Sequence, residues 1–155
     1  MHYRLSPAER ERGTALLKLA ALVLYAFPGS PTVYYGDEAG MQGFEDPLNR
    51  GTFPWGGEDA ALTAFFRTLG GLRQRESLRR GRLAYIRAEG GCLVIERAAD
   101  GERTVTALNA GDAPVELVLP WDAPTARDGV TGQRFLTEGG VLRVTLPPLD
   151  GMILV

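Results

Sequence analysis

With 155 residues, 45% of them hydrophobic, the chain is long enough to bury a core and too apolar to stay disordered. A net charge of -2 argues against nucleic acid as the main partner. A single cysteine, Cys92, excludes an internal disulfide and points to a reducing compartment.

The first element is a helix. Ser6 suits the N-cap, Pro7 the first helical position, and Glu9 completes a capping box with Ser6. The helical pattern runs to about Phe27, where Pro28 and Gly29 stop it. Leu16, Leu17, Leu19, Leu22, Val23, Leu24 and Phe27 surround most of the cylinder, which predicts burial of its C-terminal half. The apolar run from Leu19 to Phe27 is too short to span a bilayer, and it lacks the flanks of a secretory signal. No membrane partner is expected, and the expected location is the cytoplasm.

Thr32 to Tyr35 is a β-branched and aromatic run without alternation, which predicts a strand buried on both faces. Gly36 ends it, leaving Asp37 and Glu38 at its C-terminal end. The stretch from Ala39 to Gly57 has no periodic core pattern, and a loop of that length suits function. A second helix is predicted from about Asp59 to Arg75, with Leu62, Phe65, Phe66, Leu69 and Leu72 on one stripe.

From Leu83 the period changes to two. Strands are predicted at Leu83 to Ala88, Cys92 to Ala98, Thr104 to Asn109, Val115 to Leu119, Gln133 to Leu136, Val141 to Leu146 and Met152 to Val155. Turn signals separate them, among them Glu89-Gly90-Gly91, Asp100-Gly101 and Glu138-Gly139-Gly140. Short strands at this spacing predict an antiparallel sandwich.

Three motifs in order carry a family resemblance. They are YYGDE at Tyr34 to Glu38 followed by Ala39-Gly40-Met41, DPLNR at Asp46 to Arg50, and TFPW at Thr52 to Trp55. Together they resemble the eighth barrel strand and following loop of α-amylase-family glycoside hydrolases, above all the neopullulanase, cyclomaltodextrinase and maltogenic amylase branch. The tail PPLDGMILV, Pro147 to Val155, is similar to the last strand of that family's domain C. The resemblance implies an α+β chain in two parts. Residues 1–80 would be the last helix, strand and helix of a (β/α)8 barrel, and residues 81–155 a C-terminal β-sandwich.

The resemblance also assigns residues. Asp46 and Arg50 match the acidic and basic pair that binds glucose hydroxyls. A carboxylate accepts from vicinal hydroxyls and a guanidinium donates along a fixed fork. The same two residues equally suit an ion pair that pins the loop. Gly51 stands where relatives commonly carry a second arginine. Asp37 and Glu38 are adjacent, so on a strand they point to opposite faces and cannot flank one glycosidic bond. The family's catalytic carboxylates belong to GxRxD, E-containing and NHD motifs on earlier strands, and none of these occurs here. The chain is therefore expected to be inactive alone and to need upstream barrel strands. No cofactor and no metal site is expected. An α-glucan or maltooligosaccharide is the expected small-molecule partner. Leucines meant for a barrel wall lead to an expectation of self-association or of docking onto an N-terminal barrel portion.

Other residues have bland readings. Cys92 reads as a small apolar strand residue and His2 as an end residue. Trp55 and Trp121 could stack on sugar, but core or hinge packing is favoured for each. The run Arg67, Arg73, Arg75, Arg79, Arg80, Arg82 reads as a solvated helix end facing acidic neighbours. A stand-alone glucan-binding module and an assembly protein remain competing readings.

Overall fold

The computed structural model describes residues 4–155, so His2 lies outside the described residues. Helix α1 spans Pro7–Ala26 and starts as its capping box dictates: Glu9 N–H donates to Ser6 Oγ, and Ser6 N–H donates back to the Glu9 carboxylate at 2.8 Å. Leu19, Ala21, Leu22 and Ala26 form its buried side. Burial is less complete than the apolar pattern predicts, because Leu16 and Leu24 lie exposed on the opposite side.

The stretch Thr32 to Tyr35, predicted as a buried strand, forms none. A strand exists only through ladder partners, and both sheets are built from residue 82 onward. Val33 packs against the helical core cluster while Tyr34 and Tyr35 turn outward. A 3-10 turn, Asp37–Ala39, follows, and a second, Leu48–Arg50, lies within the long loop. Helix α2 spans Ala60–Leu72, where the Asp59 carboxylate caps by accepting from the N–H groups of Ala61 and Leu62, each at 3.0 Å. A five-residue helix α3, Glu76–Arg80, was not anticipated.

All seven predicted strands form, as β1 (Arg82–Glu89), β2 (Cys92–Ala99), β3 (Glu102–Asn109), β4 (Val115–Pro120), β6 (Arg134–Glu138), β7 (Val141–Leu146) and β8 (Asp150–Leu154). An eighth, β5 (Thr125–Arg127), was missed. Two antiparallel four-stranded sheets result, ordered β1-β2-β3-β8 and β4-β7-β6-β5. Their hairpins use left-handed pairs where the sequence offers them. Gly90 and Gly91 sit at φ 58° and 78°, Asp100 and Gly101 at 51° and 78°.

The inner faces of the two sheets bury Cys92, Val94, Val105, Ala107, Leu117, Leu119, Leu142, Leu146 and Leu154 in one dry cluster. The first sheet is buried on its other face as well. There Leu108 and Ile153 join Leu19, Leu22, Leu62, Phe66 and Leu69 of the helices. The molecule is thus three layers: helices, first sheet, second sheet.

Candidate functional site

The loop between the turn at Asp37 and helix α2 carries the residues singled out by sequence. It is held mainly by backbone groups. Tyr35 Oη donates to Gly51 O at 3.0 Å, Thr63 Oγ1 donates to Glu38 O at 3.1 Å, and Asp59 N–H donates to Ala39 O at 2.9 Å. Gly40 takes φ 70°, and a Cβ there would press on the Asp59 and Leu62 side chains. This close approach fits the loop onto the start of α2.

Asp46 and Arg50 meet as an ion pair at 2.9 Å, with both side chains more than half exposed. Asp37 and Glu38 do not converge on a common site. Glu38 accepts from Gly36 N–H at 2.9 Å, so its carboxylate ties its own turn. Asp37 lines a small apolar cleft with Leu17, Ala21, Leu24, Val33 and Phe66. Burial there, and then the nearby Glu38 charge, push its carboxyl above the ordinary aspartate value. The two residues occupy a 3-10 turn rather than a strand end, so the alternation argument does not apply to them.

A groove of about 460 Å³ opens between the N-terminal end of α1 and the loop. Met41, Phe44, Leu48 and Pro54 give it apolar walls, with Arg4 and Arg10 alongside. Asp46 and Arg50 are not among its lining residues. Sequence reasoning did not find this groove, because Arg4 and Arg10 belong to a different element from the loop they face. Among the described residues no group of three or more His, Cys, Asp or Glu side chains could hold a metal ion.

The two tryptophans part company. Trp121 is buried in the sandwich, its Nε1–H donating to Thr125 O at 3.2 Å and the Arg103 guanidinium lying 4.9 Å from its ring centroid. Trp55 is 85% exposed, contrary to the packing expectation, and its ring lies against Phe53 with centroids 4.7 Å apart. Cys92 is a buried free thiol in the sandwich core, and burial raises its pKa.

The basic run is paired as expected at three positions: Arg75 with Glu102, Arg79 with Glu76, and Arg80 with Glu76 and Asp100. Arg73 behaves differently. Its Nη1 donates to Tyr25 O at 3.0 Å and Phe27 O at 3.1 Å, and its Nη2 to Gly29 O. Arg97, only 2% exposed, donates from Nη1 to Ala26 O at 2.6 Å and from Nε to Gly81 O at 3.0 Å. Among the described residues neither guanidinium has a carboxylate partner. They satisfy the last carbonyls of α1, where the helix dipole is negative. Burial first, then the adjacent Arg73 charge, lowers the Arg97 pKa.

The two-sheet antiparallel sandwich built from residue 82 onward is of the class of C-terminal domain found in α-amylase-family glycosidases. The profile of the Maltogenic Amylase, C-terminal domain family matches residues 73–153, and the chain belongs to that family. It is 32% identical over 166 residues to an amylopullulanase of Thermoanaerobacter thermohydrosulfuricus, spanning 97% of this chain and 11% of that one. It is 36% identical over 139 residues to a cyclomaltodextrinase of Geobacillus thermopakistaniensis, spanning 85% of this chain and 24% of the relative. An Anoxybacillus α-amylase structure superimposes with a TM-score of 0.82 at 28% identity, over 90% of this chain and 32% of that chain. The chain therefore spans a third or less of these relatives. Among the described residues no helix is long and apolar enough to cross a membrane.

Proposed function

We propose that this chain is the non-catalytic C-terminal portion of an α-glucan-hydrolysing glycosidase, contributing a barrel wall and a domain C and requiring upstream barrel strands for hydrolysis. Residues 1–80 form the wall and residues 81–155 the sandwich. The observation that carries the reading is the unpaired segment Thr32 to Tyr35 beside the exposed side of α1. Two tyrosines, Leu16 and Leu24 face solvent there, on elements whose sequence resembles a barrel's last helix and strand. The names of the relatives support the substrate class, and the small share of each that the chain spans supports a contributory role. Incubation of the purified chain with pullulan or a cyclodextrin is expected to release no reducing sugar. A polypeptide extended upstream through the missing barrel strands is expected to release it. Hydrolysis by the 155 residues alone overturns the proposal.

A second reading has its own support. Asp46 and Arg50 are exposed and mutually oriented, and Trp55 offers a bare ring on the same loop. Weak binding of a maltooligosaccharide would use the ion pair for hydroxyls and the indole for an apolar sugar face. Titration with maltoheptaose to millimolar concentration, followed by Trp55 fluorescence, tests it. An unchanged spectrum removes this reading and leaves the first intact.

A further inference from the structure

The first sheet ends differently on its two sides. At β8 the edge is closed. Gly129 N–H donates to Ile153 O at 2.7 Å, and Arg127 and Val155 exchange backbone bonds at 3.1 and 2.9 Å. The buried Asp128 carboxylate accepts from Ile153 N–H at 3.1 Å. At β1, among the described residues, nothing pairs with the outer edge. Six of its eight residues are exposed, including Tyr85 at 61% and Ile86 at 43%. Beside it the sandwich gapes toward β4 as an open cleft of about 480 Å³, lined by Ile86, Arg87, Leu117 and Val118. A bare edge of this kind is a template for another strand.

We propose that β1 is a homodimer interface, pairing antiparallel with β1 of a second copy so that Arg82 of each faces Glu89 of the other. The register comes from the strand's own charges and from its bulge. Residues seven apart on a regular strand lie on opposite faces, so they could not meet in one continued sheet. The irregularity between Tyr85 and Arg87 cancels that mismatch. Arg82 and Ala84 pair with Ala98 and Glu96 of β2, while Arg87 and Glu89 pair with Val94 and Cys92, so all four share the face toward the second sheet. Leu83 and Ala88 pair with Arg97 and Leu93, and share the face toward the helices.

A two-fold axis normal to the sheet then sets Arg82 against Glu89, Leu83 against Ala88 and Ala84 against Arg87, every pair on a matching face. The two bulges meet at the axis, bringing together Tyr85 and Ile86 of both copies. No like charges oppose each other. Among the described residues Arg82 has no ion pair, and Glu89, already 3.1 Å from Arg87, has a second carboxylate oxygen to offer. The contact is isologous, so it closes at two copies. Eight residues a side bury less than the about 1,600 Å² of a standard interface, so the dimer exchanges readily.

Sedimentation velocity of the full chain, from low micromolar to near-millimolar concentration, tests the proposal. The wild type is expected to shift from monomer to dimer across that range. Arg82→Glu and Glu89→Arg are each expected to weaken dimerisation by about tenfold, by placing like charges opposite each other. The doubly reversed R82E/E89R chain is expected to regain the wild-type constant. Both side chains are exposed, so the variants are expected to keep the wild-type circular dichroism spectrum. Hydrogen exchange gives an independent readout, with β1 amides gaining protection as concentration rises. A monomer throughout, a dimer indifferent to charge reversal, or failure of the double reversal to rescue overturns the assignment. The second of these outcomes would place self-association on α1 instead.

Discussion

The sandwich core and the helical layer on its outer face are both buried, but they are fastened by different chemistry. Between the sheets the contact is almost wholly apolar, with Leu142, Leu146, Val105 and Leu154 excluded from water. Around α1, apolar contact is supplemented by two arginines that reach the last carbonyls of the helix, Arg97 from β2 of the first sheet and Arg73 from the end of α2. The first kind of packing depends on shape and volume and resists any loss of atoms. The second depends on two directional donors, whose removal leaves the buried Ala26 O and the part-buried Tyr25 O and Phe27 O without these partners. The lesson is that α1 is aimed by its C-terminus. The segment leaving that terminus carries Tyr34, Tyr35, Asp37 and Glu38, so the guanidiniums of Arg73 and Arg97 set where the loop begins.

The largest effect is expected in the dry layer. Leu142→Ala removes a fully buried side chain from the start of β7, where packed neighbours from both sheets leave a cavity. The expected loss is about 3 kcal/mol. Urea unfolding followed by both tryptophan fluorescence and helical circular dichroism should show both signals moving to lower denaturant together. A helical signal that survives the loss of the sandwich would separate the two layers and break the assumption that they fold as one unit.

Arg97→Met addresses the second kind of fastening. Methionine keeps some of the stem's packing and removes every donor, leaving Ala26 O and Gly81 O without this partner. A destabilisation of about 2 kcal/mol is expected. The sharper readout is local: amides in the last two turns of α1 should lose exchange protection while those of β7 keep theirs. Uniform loss would mean that Arg97 is only part of the general core.

How much of this was legible depended on the range of the interactions involved. Strand positions came from alternation and from turn dipeptides, both local signals, and hence seven of the strands were readable. β5 has three residues, too few to show a period, and α3 has five. The segment Thr32 to Tyr35 has the composition of a buried strand, but composition cannot say whether partner strands exist to pair with it. Asp46 and Arg50 were singled out by the resemblance of DPLNR to the family's loop motif, and their contact is a local one within that loop. The contacts of Arg97 were not, since its carbonyl partner on α1 is 71 residues away. Arg97 follows Leu93 and Ile95 on the face toward the helices, and that placement was a signal of burial. Reading it required knowing that the first sheet is covered on both sides. Trp55 was misjudged for a similar reason, as nothing adjacent in sequence shows whether a tryptophan has a wall to lean on.

The smallest expected effect concerns the far end of the same junction, where α3 meets β3. Glu102 accepts from Ser77 N–H at 2.9 Å and from Ser77 Oγ, and lies 3.4 Å from Arg75 Nε. Partial burial opposes its charge, but the Ser77 hydrogen bonds and the Arg75 charge outweigh that, so its pKa lies below the ordinary glutamate value of 4.5. A carboxylate with a depressed folded pKa stabilises the fold above its unfolded value, and that contribution disappears as pH falls through the lower folded value. Glu102→Gln keeps the shape and one acceptor while removing the charge, and should cost about 1 kcal/mol at pH 7. Measured by urea midpoint, the gap between wild type and variant should be constant from pH 7 to about 5 and should close below about pH 4. A gap that persists undiminished at acid pH would assign the loss to side-chain geometry, and α3 would then be held to the sheet by packing around Leu78 rather than by the Glu102 charge.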